Sequence, residues 1–190
     1  MTQTRRPRAL ALVGMPGSGK SSCALHLEQR GYFQFRFGGI VQGEVERRGW
    51  AVNPENERIV REELRETHGM PAMAVLAMPH LRKALETRQN IVIDGLYSWS
   101  EYKLLQTELD AELIVVAITC TRKLRYERLA KRRERPLTTE EAVSRDWAEI
   151  ERLEKGGPIA IADYTFSNDG PVDALVGELE RLLDLLEFTP

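Results

Sequence analysis

Gly14-Met15-Pro16-Gly17-Ser18-Gly19-Lys20-Ser21 meets every fixed position of the pattern G-x-x-x-x-G-K-[ST]. Its surroundings suit that pattern. The unbroken apolar run Ala9-Leu10-Ala11-Leu12-Val13 precedes it and reads as a buried parallel strand. A segment with Ala24, Leu25 and Leu27 on its apolar side follows and reads as a helix. Glycines let successive backbone N–H groups turn inward around a phosphate, and the next helix aims its positive end at the same point. Gly14, Met15, Pro16, Gly17, Ser18, Gly19, Lys20, Ser21 and Ser22 are therefore the candidate nucleotide-binding residues. Lys20 is placed to reach the β- and γ-phosphates, and the Ser21 hydroxyl to sit on Mg²⁺.

The rest of the chain is read outward from that loop. Gly31 is expected to stop the first helix, and Tyr32 to Phe37 to form a second strand broken by Gly38-Gly39. Helices are expected over Ile40 to Arg48, from Asn53-Pro54 to about His68, and from Pro71 through Leu85. Asn90 to Asp94 reads as strand three, and Leu113 to Thr119 as strand four. Ser98 or Ser100 can cap a helix reaching Leu109, and Thr121 can cap a basic helix. A helix start near Pro136 to Glu141 is expected to run to about Lys155. Tyr164 to Ser167 reads as strand five, and Val172 to Glu187 as a final helix. Strands alternating with helices predict an α/β fold, with one parallel sheet covered on both faces. Ligands of such sheets bind at the carboxyl ends of the strands, where Gly14–Ser21, Asp94 and Thr119–Thr121 all fall.

The 190 residues suit one domain, and 42% hydrophobic with 29% charged residues is ordinary for a globular chain. A formal net charge of -2 argues against bulk attraction to nucleic acid or to a membrane. No apolar run approaches the ~18 residues of a membrane span. Two cysteines, Cys23 and Cys120, suit a reduced, cytoplasmic protein. Residues 1–8 read as a frayed tail.

Asp94 ends an apolar strand and can hold Mg²⁺ beside Ser21, or else cap the next turn. Residues 122–135 hold eight basic side chains, and Arg125, Arg128 and Arg132 fall on one helical face at i, i+3 and i+7. Such a face can clamp a transferring phosphoryl group, stay solvated, or meet nucleic acid; sparse aromatics and the negative net charge disfavour the last. His26, His68 and His80 read as surface or packing residues, and Trp50, Trp99 and Trp147 as packing residues.

Five stretches together carry a family resemblance: Gly14–Ser21; Glu44–Gly49 with Asn53–Asn56; Val92–Gly95; Arg125–Leu129 with Arg145-Asp146; and Ala162–Gly170. In this order they resemble P-loop kinases of nucleotide-like small molecules, the adenylate-kinase-like enzymes and dephospho-CoA kinases, and above all the adenylate-kinase-related proteins best known from archaea. The resemblance implies a P-loop fold with strand order 2-3-1-4-5, an acceptor-binding helical region at about 38–89 and a lid at about 122–146. It implies ATP and Mg²⁺ as cofactors, and a phosphorylated or nucleotide-like acceptor. Lys20, Arg128, Arg132 and Arg145 would meet phosphates, Ser21 and Asp94 the metal, and Asn168 to Gly170 would lie near the adenine. The chain departs from those enzymes on the acceptor side. Gly38-Gly39 stands where adenylate kinases carry Gly-Asp, Gln42 about where they carry an arginine, and Gly95-Leu96-Tyr97-Ser98 follows Asp94. A hydrolysing or sensing protein without a small-molecule acceptor, or a nucleic-acid end kinase, are the alternative expectations.

Overall fold

Six consecutive buried residues make β1 (Arg8–Val13) the centre of the sheet. The computed structural model describes residues 6–133 and 135–190. After β1 come α1 (Lys20–Gln29), β2 (Gln34–Arg36), α2 (Phe37–Arg47), α3 (Pro54–His68), α4 (Ala72–Leu85) and β3 (Asn90–Asp94). The second half runs α5 (Trp99–Glu108), β4 (Glu112–Thr119), α6 (Arg122–Ala130), α7 (Thr139–Glu151), α8 (Gly156–Ala160), β5 (Tyr164–Ser167) and α9 (Val172–Leu186). The sheet is parallel with order β2-β3-β1-β4-β5, as expected.

Side chains alternate across the sheet, so each strand feeds two cores. Ala9, Ala11, Val13, Ile91, Ile93, Val115 and Ala117 face the core that α2 to α5 cover. Leu10, Leu12, Val92, Ile114, Val116 and Ile118 face the other, under α1 and α9. Register aligns the strand ends: Leu12 lies beside Asp94, Arg36 beside Asp94, Val13 beside Ala117 and Thr119 beside Ser167. The phosphate loop, Asp94, Cys120 and Asn168 therefore gather on one rim.

Caps explain most helix boundaries. The Asn53 side chain accepts from the Asn56 N–H at 2.9 Å, and Pro54 starts α3. Ser98 with Glu101, and Thr138 with Glu141, form capping boxes for α5 and α7. No helix among the described residues is long and apolar enough to cross a membrane.

Four expectations are corrected. Strand two is only Gln34–Arg36, because buried Phe37 opens α2 and Gly38-Gly39 lie inside that helix rather than breaking the chain. The basic helix stops at Ala130, so Arg132 lies beyond it and shares no helical face with Arg125 and Arg128. Arg8 is no tail residue: it is buried in β1, and its guanidinium donates to the Asn90 side chain and to the carbonyls of Leu186 and Glu187. Of that expected tail, residues 1–5 lie outside the described residues. Trp147 is 63% exposed and packs into no core, whereas Trp99 stacks on Tyr102.

Candidate active site

α1 begins at Lys20 with Gly19 as its N-cap and no side chain capping it. The first N–H groups of the helix are thus left to whatever occupies the loop. Gly19 has φ 104°, and a Cβ there would stand 2.0 Å from the Asn168 amide nitrogen. A Cβ on Gly14 would meet the Ile118 carbonyl oxygen at 2.5 Å. Glycine at these two positions is what lets the loop lie against β4 and β5. Ser18 is buried, and its N–H donates to the Met15 carbonyl at 3.1 Å. Met15, Pro16 and Gly17 are half-buried at the loop's crest, Ser21 is exposed and Ser22 half-buried on the first turn of α1.

Lys20 and Asp94 pair directly, with side chains 18% and 12% exposed. The pairing follows from topology: β1 and β3 are neighbours, and Asp94 stands beside Leu12, two residues before the loop. The Arg36 Nε lies 4.0 Å from the other Asp94 oxygen. Arg36 was not among the sequence candidates; its signal was its place as the last polar residue of a short strand.

Arg125 is the larger surprise. It is buried, and its two Nη atoms hold both Asp146 oxygens at 2.9 and 2.6 Å. The same guanidinium donates to the Pro16 carbonyl at 3.0 Å, and Tyr126 adds a hydroxyl to Asp146 at 3.0 Å. One side chain thus ties α6, α7 and the phosphate loop together. Neither contact is legible in the sequence, since Arg125 and Asp146 stand 21 residues apart.

The proposed clamp residues are scattered rather than aligned. Arg128 is half-buried and donates to the Cys120 sulfur at 3.4 Å. Arg132 is exposed beyond the helix, and Arg145 is exposed on α7 with Glu149 at 3.5 Å. Asn168 is buried; its amide donates to the Ser18 carbonyl at 2.8 Å and braces the loop from behind. Gly170 is exposed, while Asp169 accepts from the Thr121 N–H at 2.8 Å and the Ser167 hydroxyl at 2.7 Å. Those donors hold the Asp169 carboxyl down at about 2.

A buried polar cluster lies on the β3 side. Lys155 pairs with Glu149 and sits 4.8 Å over the Tyr97 ring. Desolvation lowers the Lys155 pKa, and it pushes the Tyr97 phenol up to about 12. Glu101, wholly buried, accepts from the N–H groups of Tyr97 and Ser98 at 2.8 and 3.1 Å. Burial nonetheless raises its carboxyl to about 7. The arginines of the helical excursion are largely taken: Arg47 and Arg48 by Glu44, Arg48 also by Glu63, and Arg58 by Glu62.

No group of three or more His, Cys, Asp or Glu side chains able to hold a metal occurs among the described residues. A hydroxyl and one carboxylate, Ser21 and Asp94, are the oxygen donors on offer. They fit a cation that keeps most of its own waters, as Mg²⁺ does.

The comparisons with known proteins extend this geometry. An AAA domain family model matches residues 10–154. A UPF0200 protein of Thermococcus kodakarensis is 37% identical over 176 residues, covering 91% of this chain and 95% of the relative. The chain belongs to the AAA domain family, among the UPF0200 proteins. That relative is archaeal, as the resemblance implied. Among solved structures, the protein TT1252 from Thermus thermophilus matches with a TM-score of 0.68 at 19% identity, over 98% of this chain and 100% of the other. Shikimate kinase from Bacteroides thetaiotaomicron matches with a TM-score of 0.59 at 16% identity, over 97% and 100% of the two chains. The fold of this UPF0200 protein is therefore that of P-loop kinases.

Proposed function

We propose that the protein is a Mg²⁺- and ATP-dependent phosphotransferase acting on a small phosphorylated or nucleotide-like acceptor. The observation that carries this reading is the Lys20–Asp94 pair at the mouth of an uncapped glycine loop. Phosphoryl transfer asks a protein for positioning and charge stabilisation rather than covalent chemistry. The amides of Gly14 to Ser22 and the Lys20 ammonium would hold the donor phosphates. Ser21 and Asp94 would hold Mg²⁺, which neutralises phosphate charge when bound. Asp94 would then exchange Lys20 for the ion, and Lys20 would turn to phosphate oxygen. Arg128, Arg132 and Arg145, from a lid at about 122–146, would close over the phosphoryl group. Gly170 and the backbone of Asn168 would border the base, since the Asn168 amide nitrogen is occupied by Ser18. The helical region at about 38–89 would receive the acceptor. Two free cysteines support a cytoplasmic setting.

A second reading, nucleotide hydrolysis without an acceptor, draws on the spent side chains of that region. Gln42 is bound to Glu46 at 3.0 Å, and Arg47, Arg48 and Arg58 are bound to carboxylates.

The test is ATP turnover read as product mass, with nucleoside monophosphates, dephospho-CoA or buffer alone as the other component. A phosphorylated acceptor is the expected product. Equal ADP formation in every arm, with no new mass, supports hydrolysis instead. Lys20→Ala should cut turnover by roughly 10²–10³-fold or more, because it deletes charge that acts in a water-excluded site. Unchanged turnover in a folded Lys20→Ala protein sinks the reading.

A further inference from the structure

Arg65, in the last turn of α3, holds the least satisfied polar group near the acceptor side. Its Nε and Nη2 each expose less than 1 Å² and have no hydrogen-bond partner. These two N–H groups form a single edge of the guanidinium. The same edge of Arg47 grips both oxygens of Glu44, at 2.6 and 2.7 Å. That edge matches two oxygens on one carbon or phosphorus, and burying it empty is unfavourable.

The chain's own carboxylates do not take it. The charges of Glu101, Glu149 and Glu154 all reach Arg65, yet none forms an ion pair with it. Each is committed elsewhere: Glu101 to the start of α5, Glu149 to Lys155, and Glu154 to Ser100 at 2.8 Å. Arg61, one turn earlier on α3, adds a second positive charge. The far oxygen of Glu101, Oε1, is also buried without a partner. Glu149, whose charge reaches Arg65, leads towards the phosphate loop by way of Lys155. Lys155 lies over the Tyr97 ring, the Tyr97 hydroxyl crowds Gly38 and Gly95, and Gly95 follows Asp94.

We propose that the Nε–Nη2 edge of Arg65 binds a carboxylate or phosphate group of the acceptor. The acceptor is then a small acid or phosphate ester. Assigning this group to the acceptor rests on the phosphotransferase reading; the anion site itself does not.

The experiment is an NMR titration of the intact protein that follows the Arg65 Nε–H resonance. It is run with and without saturating ADP to fill the phosphate loop. The probes are inorganic phosphate, acetate and neutral glycerol. Arg65→Lys identifies the resonance by deleting it, with Arg65→Gln in reserve should the lysine protein not fold. The expected result is a saturable shift with phosphate, acetate or both, and none with glycerol. A response to acetate alone makes the acceptor a carboxylic acid, and to phosphate alone a phosphate ester. By calorimetry, Arg65→Lys should weaken that anion about tenfold, because lysine keeps the charge but loses the fork, and should leave ADP affinity within about twofold. An Arg65 resonance indifferent to both anions overturns the proposal. Failure of the wild-type protein to bind ADP overturns the kinase reading instead, and the titration without ADP still decides the anion site.

Discussion

Two residues show how burial sets the roles of charged groups here. Arg125 and Asp146, with side chains 8% and 9% exposed, are a desolvated pair in which the guanidinium makes three hydrogen bonds and the carboxylate accepts three. Removing one partner of such a pair costs about 3–5 kcal/mol, because the other is left buried and charged. Arg125→Ala should therefore lose about that much stability in urea denaturation, and Arg125→Met with Asp146→Leu should recover most of it. A cost below about 1 kcal/mol would mean that Arg125 does not brace the loop. Glu101 makes a pH-dependent prediction. Its carboxyl rises from 4.5 to about 7 on folding, so the folded chain favours the protonated form. Its contribution is fully present below about pH 4.5 and is lost as pH rises through about 7, a change of about 3 kcal/mol. Comparing wild type with Glu101→Gln at pH 5 and pH 8 isolates it. The wild type should lose stability relative to the variant as pH rises, and a constant difference would show that Glu101 is charged throughout.

At the level of elements, sequence legibility followed local chemistry. β3, β5 and the start of α3 fell where expected, because an apolar run or an Asn-Pro cap is a local signal. β2 and α6 did not, because their limits are set by tertiary contacts. Phe37 is pulled into the core and starts a helix through two glycines. α6 ends at Ala130, since the Leu137 N–H returns to the Leu129 carbonyl at 3.2 Å and turns the chain back. The loop beyond α6 reaches α3, where Arg135 meets Glu57 at 3.1 and 3.2 Å. An exposed pair of this kind is worth about 0.2–1 kcal/mol, so it tethers the loop to α3 only weakly. If that segment closes over the phosphates, Arg132→Ala should lower kcat more than nucleotide affinity, since its contacts form on closure. Steady-state kinetics beside ADP titration separates the two quantities. Equal small changes in both would leave Arg132 a solvated surface residue.

At the level of the whole molecule, the parallel sheet and the placing of the loop and Asp94 on one rim were legible from the alternation of strands and helices, whereas the strand order and the place of Asn168 followed only from the family resemblance. The polar cluster of Arg65, Glu101, Glu149 and Lys155 was not legible, because it is assembled from α3, α5, α7 and the start of α8, with no motif linking them. Nucleotide binding should be visible in global stability. Saturation at 100 times Kd adds about 2.7 kcal/mol, and a chain of this size gains roughly 2–4 °C per kcal/mol. ATP with Mg²⁺ should thus raise Tm by roughly 5–10 °C, and Lys20→Ala should abolish most of the shift; a wild-type Tm indifferent to ATP would contradict nucleotide binding.

The central position of β1 has a consequence for synthesis. Its two neighbours are β3 and β4, and Arg8 pairs in register with Asn90 and Glu112. β1 leaves the ribosome before either partner and must wait some eighty residues for one edge and a hundred for the other. During that interval its apolar residues have backbone donors and acceptors with no ladder to join. Long-range parallel pairing is slow, and unpaired edges invite association between nascent chains. The strand that anchors the mature sheet is thus, in the nascent chain, an unpaired apolar segment open to association.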